Sequence, residues 1–153
     1  MKRKKSIYGF NLIELMVVVA IIAFLSMLVI PHLTQFLARS KRSEAYITLR
    51  SLYLAEKAFW LEHGVYTTLL QGAQSLGWKP EGALHYTYGF TGAEGRNNVT
   101  GSLKTPASAL QGSRAAADGF TICAAGDIDG DGMPDVLSID HNGVIKIEKD
   151  DLQ

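Results

Sequence analysis

Between Phe10 and Pro31 the sequence is almost wholly apolar, and Glu14 is its one full charge. Roughly 20 apolar residues in succession are enough to cross a bilayer as a helix. Lys2, Arg3, Lys4 and Lys5 stand immediately before the run, and the positive-inside bias holds that end on the cytoplasmic side. A chain built this way enters a membrane at some stage, and the rest of its fold hangs from that segment.

Three readings compete for the run. A secretory signal peptide has a basic head and an apolar region followed by a small-residue cleavage site, and no Ala-x-Ala site with a break after it is present. A plain anchor accounts for the length and the positive flank, with Glu14 close enough to the interface to stay wet. It gives no reason for a carboxylate within the span, where an acidic side chain costs roughly 2.5–3.5 kcal/mol. On the third reading, Glu14 has a partner.

The residues Gly9-Phe10-Asn11-Leu12-Ile13-Glu14-Leu15, behind a short basic leader and ahead of the apolar run, resemble the processing site of type IV pilins and their relatives. The resemblance implies cleavage between Gly9 and Phe10 by a prepilin peptidase, N-methylation of Phe10, and retention of the apolar helix in the mature subunit. It also implies that Glu14 pairs with the new N-terminus of a neighbouring copy during assembly. A carboxylate that is costly alone in an apolar bundle is tolerable beside an amine, so Glu14 would set register.

The pilin-like resemblance divides the chain into a leader (residues 1–9), a membrane or fibre-core half-helix (10–31), an amphipathic half-helix (32–64) and a globular head (65–153). The expected fold class is α+β, with the long helix packed on a small antiparallel sheet. Pro31 removes a helical donor and its ring clashes one turn back, so a kink or local loss of helix is expected between Ala23 and Pro31. The resemblance also places a proline there.

After Pro31 the pattern becomes amphipathic. Leu33, Phe36, Leu37, Ala45, Leu49, Leu52 and Phe59 recur mostly at three- and four-residue steps, with Arg39, Lys41, Arg42, Glu44, Arg50, Glu56, Lys57 and Glu62 largely on the other face. One helix from near Asn11 to His63 is expected, stopped by Gly64. His63 reads as a cap at the negative end of the dipole. The stretch Ala58 to Thr67 resembles the helix-to-loop junction of many pilins, with His63 where Asn is usual.

Tyr86, Tyr88 and Phe90 alternate along Leu84 to Phe90 as on one face of a half-buried strand, and core is the simplest role for them. Gly92 to Ala117 reads as a long surface loop, in which Asn98-Val99-Thr100 matches a glycosylation sequon. Phe120 to Ala125, Val136 to Asp140 and Val144 to Ile147 read as strands, the last two joined by the turn His141-Asn142-Gly143, whose Asn-Gly is a strong hairpin signal.

Between the first two of these strands lie Asp127, Asp129, Asp131 and Asp135, spaced by Gly130, Gly132, Met133 and Pro134. Hard oxygen ligands at alternate positions of a tight turn suit calcium. The candidate ligands are the carboxylates of Asp127, Asp129, Asp131 and Asp135 and the Met133 carbonyl. The loop resembles the Asp-x-Asp-Gly-Asp-Gly-x-x-Asp calcium turns of some extracellular repeats and departs from an EF-hand at the twelfth place, where Ser138 replaces the bidentate glutamate. The bland alternative is a solvated hairpin turn, since Asp and Gly are also ordinary turn residues. An ion here would be structural, tying down an end that the lone Cys123 cannot close with an internal disulfide.

The chain has 15 basic and 15 acidic residues, and loss of the four basic residues of the leader leaves 11 against 15. That balance argues against nucleic acid as an obligatory partner. The resemblance implies as partners other copies in a helical fibre, the peptidase and methyltransferase, inner-membrane assembly machinery, and lipid before assembly. It implies an inner-membrane precursor and a surface fibre for adhesion, twitching motility or DNA uptake. The alternative within the same architecture is a pseudopilin of a type II secretion system, although the Pro-Trp-Gly-rich segment of the major pseudopilin is missing. A membrane-tethered hydrolase finds little support, because the aspartates lack a paired histidine and no Gly-x-Ser-x-Gly motif occurs.

Overall fold

The structure, a computed structural model, describes residues 9–152. These fall into two compact units divided between Phe36 and Leu37, and helix α1, Leu12–His63, runs through both. Gly9 and Phe10, between which cleavage is expected, are described, while the basic residues before them lie outside the described residues.

In the first unit the Asn11 carbonyl opens α1, accepting from the Glu14 and Leu15 amides at 3.0 and 3.2 Å. From Leu12 to Ile30 every residue is exposed except the half-buried Ser26, whose hydroxyl donates to the Ile22 carbonyl at 2.8 Å. The backbone is helical through Pro31, so the expected loss of helix between Ala23 and Pro31 is not found. The missing N–H removes one rung, and helical bonding on either side carries the backbone across it.

The second unit sets the remainder of α1 against an antiparallel sheet. Its strands are β1 (Thr87–Gly89), β2 (Asn98–Val99), β3 (Arg114–Ala116), β4 (Gly119–Gly126), β5 (Asp135–Asp140) and β6 (Ile145–Lys149). The order is β2-β1-β4-β5-β6, with β3 also pairing β4. One edge of β4 carries β5 along Thr121 to Gly126; the other is shared between β3, at Gly119 to Thr121, and β1, at Cys123 to Ala125.

Strand alternation sorts the side chains of β4 and β5 between two cores. Phe120, Ile122 and Ala124, with Leu137 and Ile139, join Ala45, Leu49 and Leu52 of α1 and Tyr86, Tyr88 and Phe90. Cys123, Ala125 and Val136 face the other way and meet Leu110 of a 3-10 turn, Ala107–Leu110. The expected core roles of Ala45, Leu49, Leu52 and Phe59 and of the three aromatics therefore hold. Leu33, Phe36 and Leu37, assigned to the same amphipathic face, are instead exposed.

The segment expected to be a bare surface loop, Gly92 to Ala117, holds β2, β3 and the 3-10 turn. Asn98 within it is fully buried, and its Nδ2 donates to the Phe90 and Gly92 carbonyls at 3.1 and 3.2 Å. An amide used in this way is closed to glycosylation. The close approach behind it requires glycine at 89: φ is +123°, and a Cβ would lie 2.5 Å from the Asn97 carbonyl oxygen.

α1 ends as expected. Gly64, at φ +73°, donates its N–H to the Trp60 carbonyl at 2.8 Å, an αL cap. His63 lies 4.1 Å from the Phe59 ring in a stacked arrangement, with Nδ1 3.2 Å from the Phe59 carbonyl oxygen. The β5–β6 turn is the expected His141-Asn142-Gly143. Only Gly143 has positive φ, and Asp140 Oδ1 accepts from the Asn142 and Val144 amides, both at 2.9 Å, giving a three-residue loop.

Candidate functional site

The first site candidate is the N-terminal end of α1. Phe10 is 73% exposed just ahead of the helix, and Glu14 stands exposed in its first turn. A Cβ built on Gly9 meets nothing within 4 Å, and its φ is not in the left-handed region. The fold itself therefore places no demand for glycine at position 9. Among the described residues α1 is the one helix long and apolar enough to cross a membrane, by length and composition.

The second candidate is the acidic loop between β4 and β5. Asp127 folds it, accepting from the Gly130 amide at 2.7 Å and the Gly132 amide at 3.0 Å. Asp129 accepts from the Asp131 amide and Asp131 from the Met133 amide, while Gly130 and Gly132, at φ +89° and +90°, supply the sharp bends. One carboxylate oxygen from each of Asp127, Asp129, Asp131 and Asp151 lies within 4.8 Å of the others. Four hard anionic donors around one small space suit a calcium-sized cation.

Asp135 belongs elsewhere. It is fully buried at the start of β5, where Oδ2 accepts from Arg42 Nε at 3.0 Å and Tyr86 Oη at 2.7 Å. Its Oδ1 accepts from Arg42 Nη2 at 2.5 Å and the Asp151 amide at 3.3 Å. Its acceptor positions are occupied by protein donors, so the sequence-expected ligand set loses Asp135 and gains Asp151. Asp151 escapes a sequence reading because it stands 16 residues after Asp135, beyond the rest of β5 and all of β6. The Asp150-Asp151 pair just past β6 was the available signal.

Helix α1 holds this corner in place. Arg42 bridges Asp135 and Asp150. Burial works against its charge, but those two carboxylates outweigh burial and raise its pKa. Burial, reinforced by Asp135, likewise raises that of Tyr86. One residue earlier, Lys41 Nζ donates to the Ile128 carbonyl of the loop at 2.9 Å, and the Ile128 amide donates to Asp151 Oδ2 at 3.0 Å. Burial, and then the charges of Asp129 and Asp131, raise the pKa of Asp151, the direction in which a cation among them would bring relief.

Glu44 makes a second tie from helix to sheet, accepting from the His85 amide and the Tyr88 hydroxyl, both at 2.9 Å, and contacting His85 Nδ1. Cys123 is buried, which pushes its thiol up to about 12, so it stays an unreactive core residue.

No protein-family model matches the chain. Among curated proteins it is 42% identical over 101 residues to the type IV major pilin protein PilA of Myxococcus xanthus, covering 66% of this chain and 44% of that protein. It is 34% identical over 80 residues to the type II secretion system core protein G of Vibrio cholerae, covering 52% and 55% of the two chains. It is also 36% identical over 58 residues to the type IV major pilin protein PilE of Neisseria gonorrhoeae, covering 38% and 35%. These matches span about half or less of each relative's length. The single long N-terminal helix on an antiparallel sheet is a pilin-like α+β fold, and the likeness to major pilins supports a type IV pilin.

Proposed function

We propose that the chain is a structural subunit of a type IV pilus, made as a membrane-anchored precursor and polymerised into a surface fibre through α1. The observation that carries this is the exposed apolar surface from Leu12 to Ile30, which the chain's own fold leaves uncovered. Lipid covers it before assembly, and copies of the same helix cover it afterwards. A prepilin peptidase cuts between Gly9 and Phe10, which explains a glycine that the fold does not need, and Phe10 is then N-methylated. Glu14 pairs with the Phe10 amino group of a neighbouring copy as inner-membrane machinery adds subunits. Adhesion, twitching motility and DNA uptake are the uses such a fibre serves.

Glu14→Ala tests this reading. Recovery of the subunit in the sheared surface fraction should fall at least tenfold while the membrane pool persists. Undiminished fibres would remove Glu14 from assembly.

The alternative is a pseudopilin of a type II secretion system, supported by the likeness to core proteins G. A major pilin is preferred because the match to the Myxococcus protein is longer, 101 residues against 80, and more identical. No enzymatic step is proposed.

The acidic loop is proposed to hold a structural calcium ion through Asp127, Asp129, Asp131 and Asp151, with the Met133 carbonyl as a further donor. Ligand bound only to the folded state stabilises by mass action. Calcium at ten or more times its dissociation constant should raise the melting temperature of the detergent-solubilised chain, and Asp129→Ala should abolish the rise. No shift at millimolar calcium would leave the loop as a plain turn.

A further inference from the structure

A cleft beside β2 plays no part in the function proposed above. Its volume is about 620 Å³, within the roughly 300–1,000 Å³ of small-molecule sites, and its lining comes wholly from residues 94–107. The backbone of that segment is fixed from behind. The Ser102 and Leu103 amides donate to the Leu84 and His85 carbonyls at 2.8 and 3.1 Å. The Thr87 hydroxyl donates to the Thr105 carbonyl at 2.5 Å, and Thr105 Oγ1 accepts from the Asp127 amide at 3.2 Å. Gly101 packs so tightly that a Cβ there would lie 2.3 Å from the Tyr86 carbonyl oxygen. A cleft held in this way needs little ordering to receive a ligand.

The lining carries groups of both signs that the fold does not use. Glu94 and Lys104 are exposed, and neither side chain has an ion-pair or hydrogen-bond partner among the described residues. Asn98 and Thr105 are the buried members of the lining. Both hydrogens of Asn98 Nδ2 go to the Phe90 and Gly92 carbonyls. That fixes the amide orientation, since a flipped amide would set oxygen against oxygen. Oδ1 is thereby a buried acceptor with no donor among the described residues. Lys104 stands at φ +54°, one of two described non-glycine residues with positive φ. Such backbone is costly for a residue with a side chain, and it gathers at ligand sites.

These groups narrow the ligand. A simple cation would meet the Lys104 ammonium, and a simple anion would meet the Glu94 carboxylate and Asn98 Oδ1. A molecule with one charge of each sign suits both walls, because an ammonium only donates and a carboxylate only accepts. We propose that the cleft binds a small zwitterion, a free amino acid or a short peptide. Its ammonium lies on Glu94 and Asn98 Oδ1 and its carboxylate on Lys104. The Thr105 hydroxyl, which accepts from Asp127 and keeps its own proton to give, is a second donor to that carboxylate. Charge-assisted hydrogen bonds of this kind are about twice as strong as neutral ones. The site goes beyond the fibre reading and stands whether or not the chain polymerises.

The test is calorimetry on the detergent-solubilised full chain, with alanine and dialanine as probes. At least one of them should bind, and its N-acetylated and its amidated forms should each bind at least tenfold more weakly. Glu94→Gln and Lys104→Met, both at exposed positions, should weaken binding at least tenfold while the melting temperature holds. Tighter binding of alanine supports a free amino acid as the ligand, and tighter binding of dialanine supports a peptide. No heat from either probe at millimolar concentration overturns the site. Blocked probes that bind as tightly as the parent overturn the pairing of both charges, and binding undiminished in both variants overturns its placement in this cleft.

Discussion

Two stretches of the same helix have opposite fates. From Leu12 to Ile30 nearly every side chain is apolar and none is buried; from Ala45 to Phe59 a third are polar, yet Ala45, Thr48, Leu49, Leu52, Glu56 and Phe59 are all buried. Hydrophobicity alone therefore does not decide what this chain buries in itself. The second stretch has a sheet whose inward residues match its period. The first is apolar on every side, which no one-sided partner can satisfy.

The sharpest way to break this comparison is at Arg42, where the second stretch grips the sheet through a buried ion pair. Arg42→Ala leaves Asp135 buried without its partner, and removing one member of such a pair costs about 3–5 kcal/mol. Denaturant unfolding of the solubilised chain, followed through tryptophan emission from Trp78 in the core, should show that loss. A change below about 1 kcal/mol would mean that Asp135 does not depend on Arg42.

A matched pair of substitutions comes next. Leu49→Ala should destabilise the head by about 2–5 kcal/mol, the usual range for a fully buried leucine. Leu25→Ala, the same chemical change in the first stretch, should leave that unfolding transition unmoved and lower fibre recovery instead. Equal effects on head stability would erase the distinction between the two stretches.

Glu56 sharpens the comparison through pH. It is fully buried, Oε1 has no hydrogen-bond partner among the described residues, and Oε2 accepts only a long bond from the Thr67 amide at 3.4 Å. Burial raises its pKa from 4.5 to about 7 against the opposing effect of that amide. The folded state thus binds this proton more tightly than the unfolded chain. Stability from this group is greatest below pH 4.5, declines as pH rises to 7, and is then lost. Glu56→Gln should flatten that part of the profile and stabilise the head by about 3 kcal/mol above pH 7. Identical slopes for wild type and variant between pH 4.5 and 7 would mean that the carboxyl is solvated.

Much of this was legible in the sequence. The apolar run, the steps from Ala45 to Phe59 and the Gly64 stop each rest on local physics, and periodicity reports local physics well. Leu33, Phe36 and Leu37 were misplaced because periodicity shows that a face is apolar, not whether the chain itself covers it. Strands β2 and β3, of two and three residues, are too short to leave a period; β4, which they flank directly or through β1, determines them.

The acidic loop was half legible for the same reason. Asp127, Asp129 and Asp131 shape one turn through their own side chains, whereas Asp135 is drawn away by Arg42, 93 residues earlier, and Asp151 is delivered by the return of β6. One clue was available. Arg42 lies on the turn of α1 between buried Ala38 and Ala45, and a cation held at a core edge calls for an anion.

The measurement that most directly tests the central claim is the intact mass of the chain recovered from the native membrane and from the sheared surface fraction. The account expects a chain beginning at N-methylated Phe10 in both, with the sheared material in multimers. A mass that retains Met1 to Gly9, found in the membrane alone, would contradict it and leave an anchored domain whose apolar helix serves only to hold it in the bilayer.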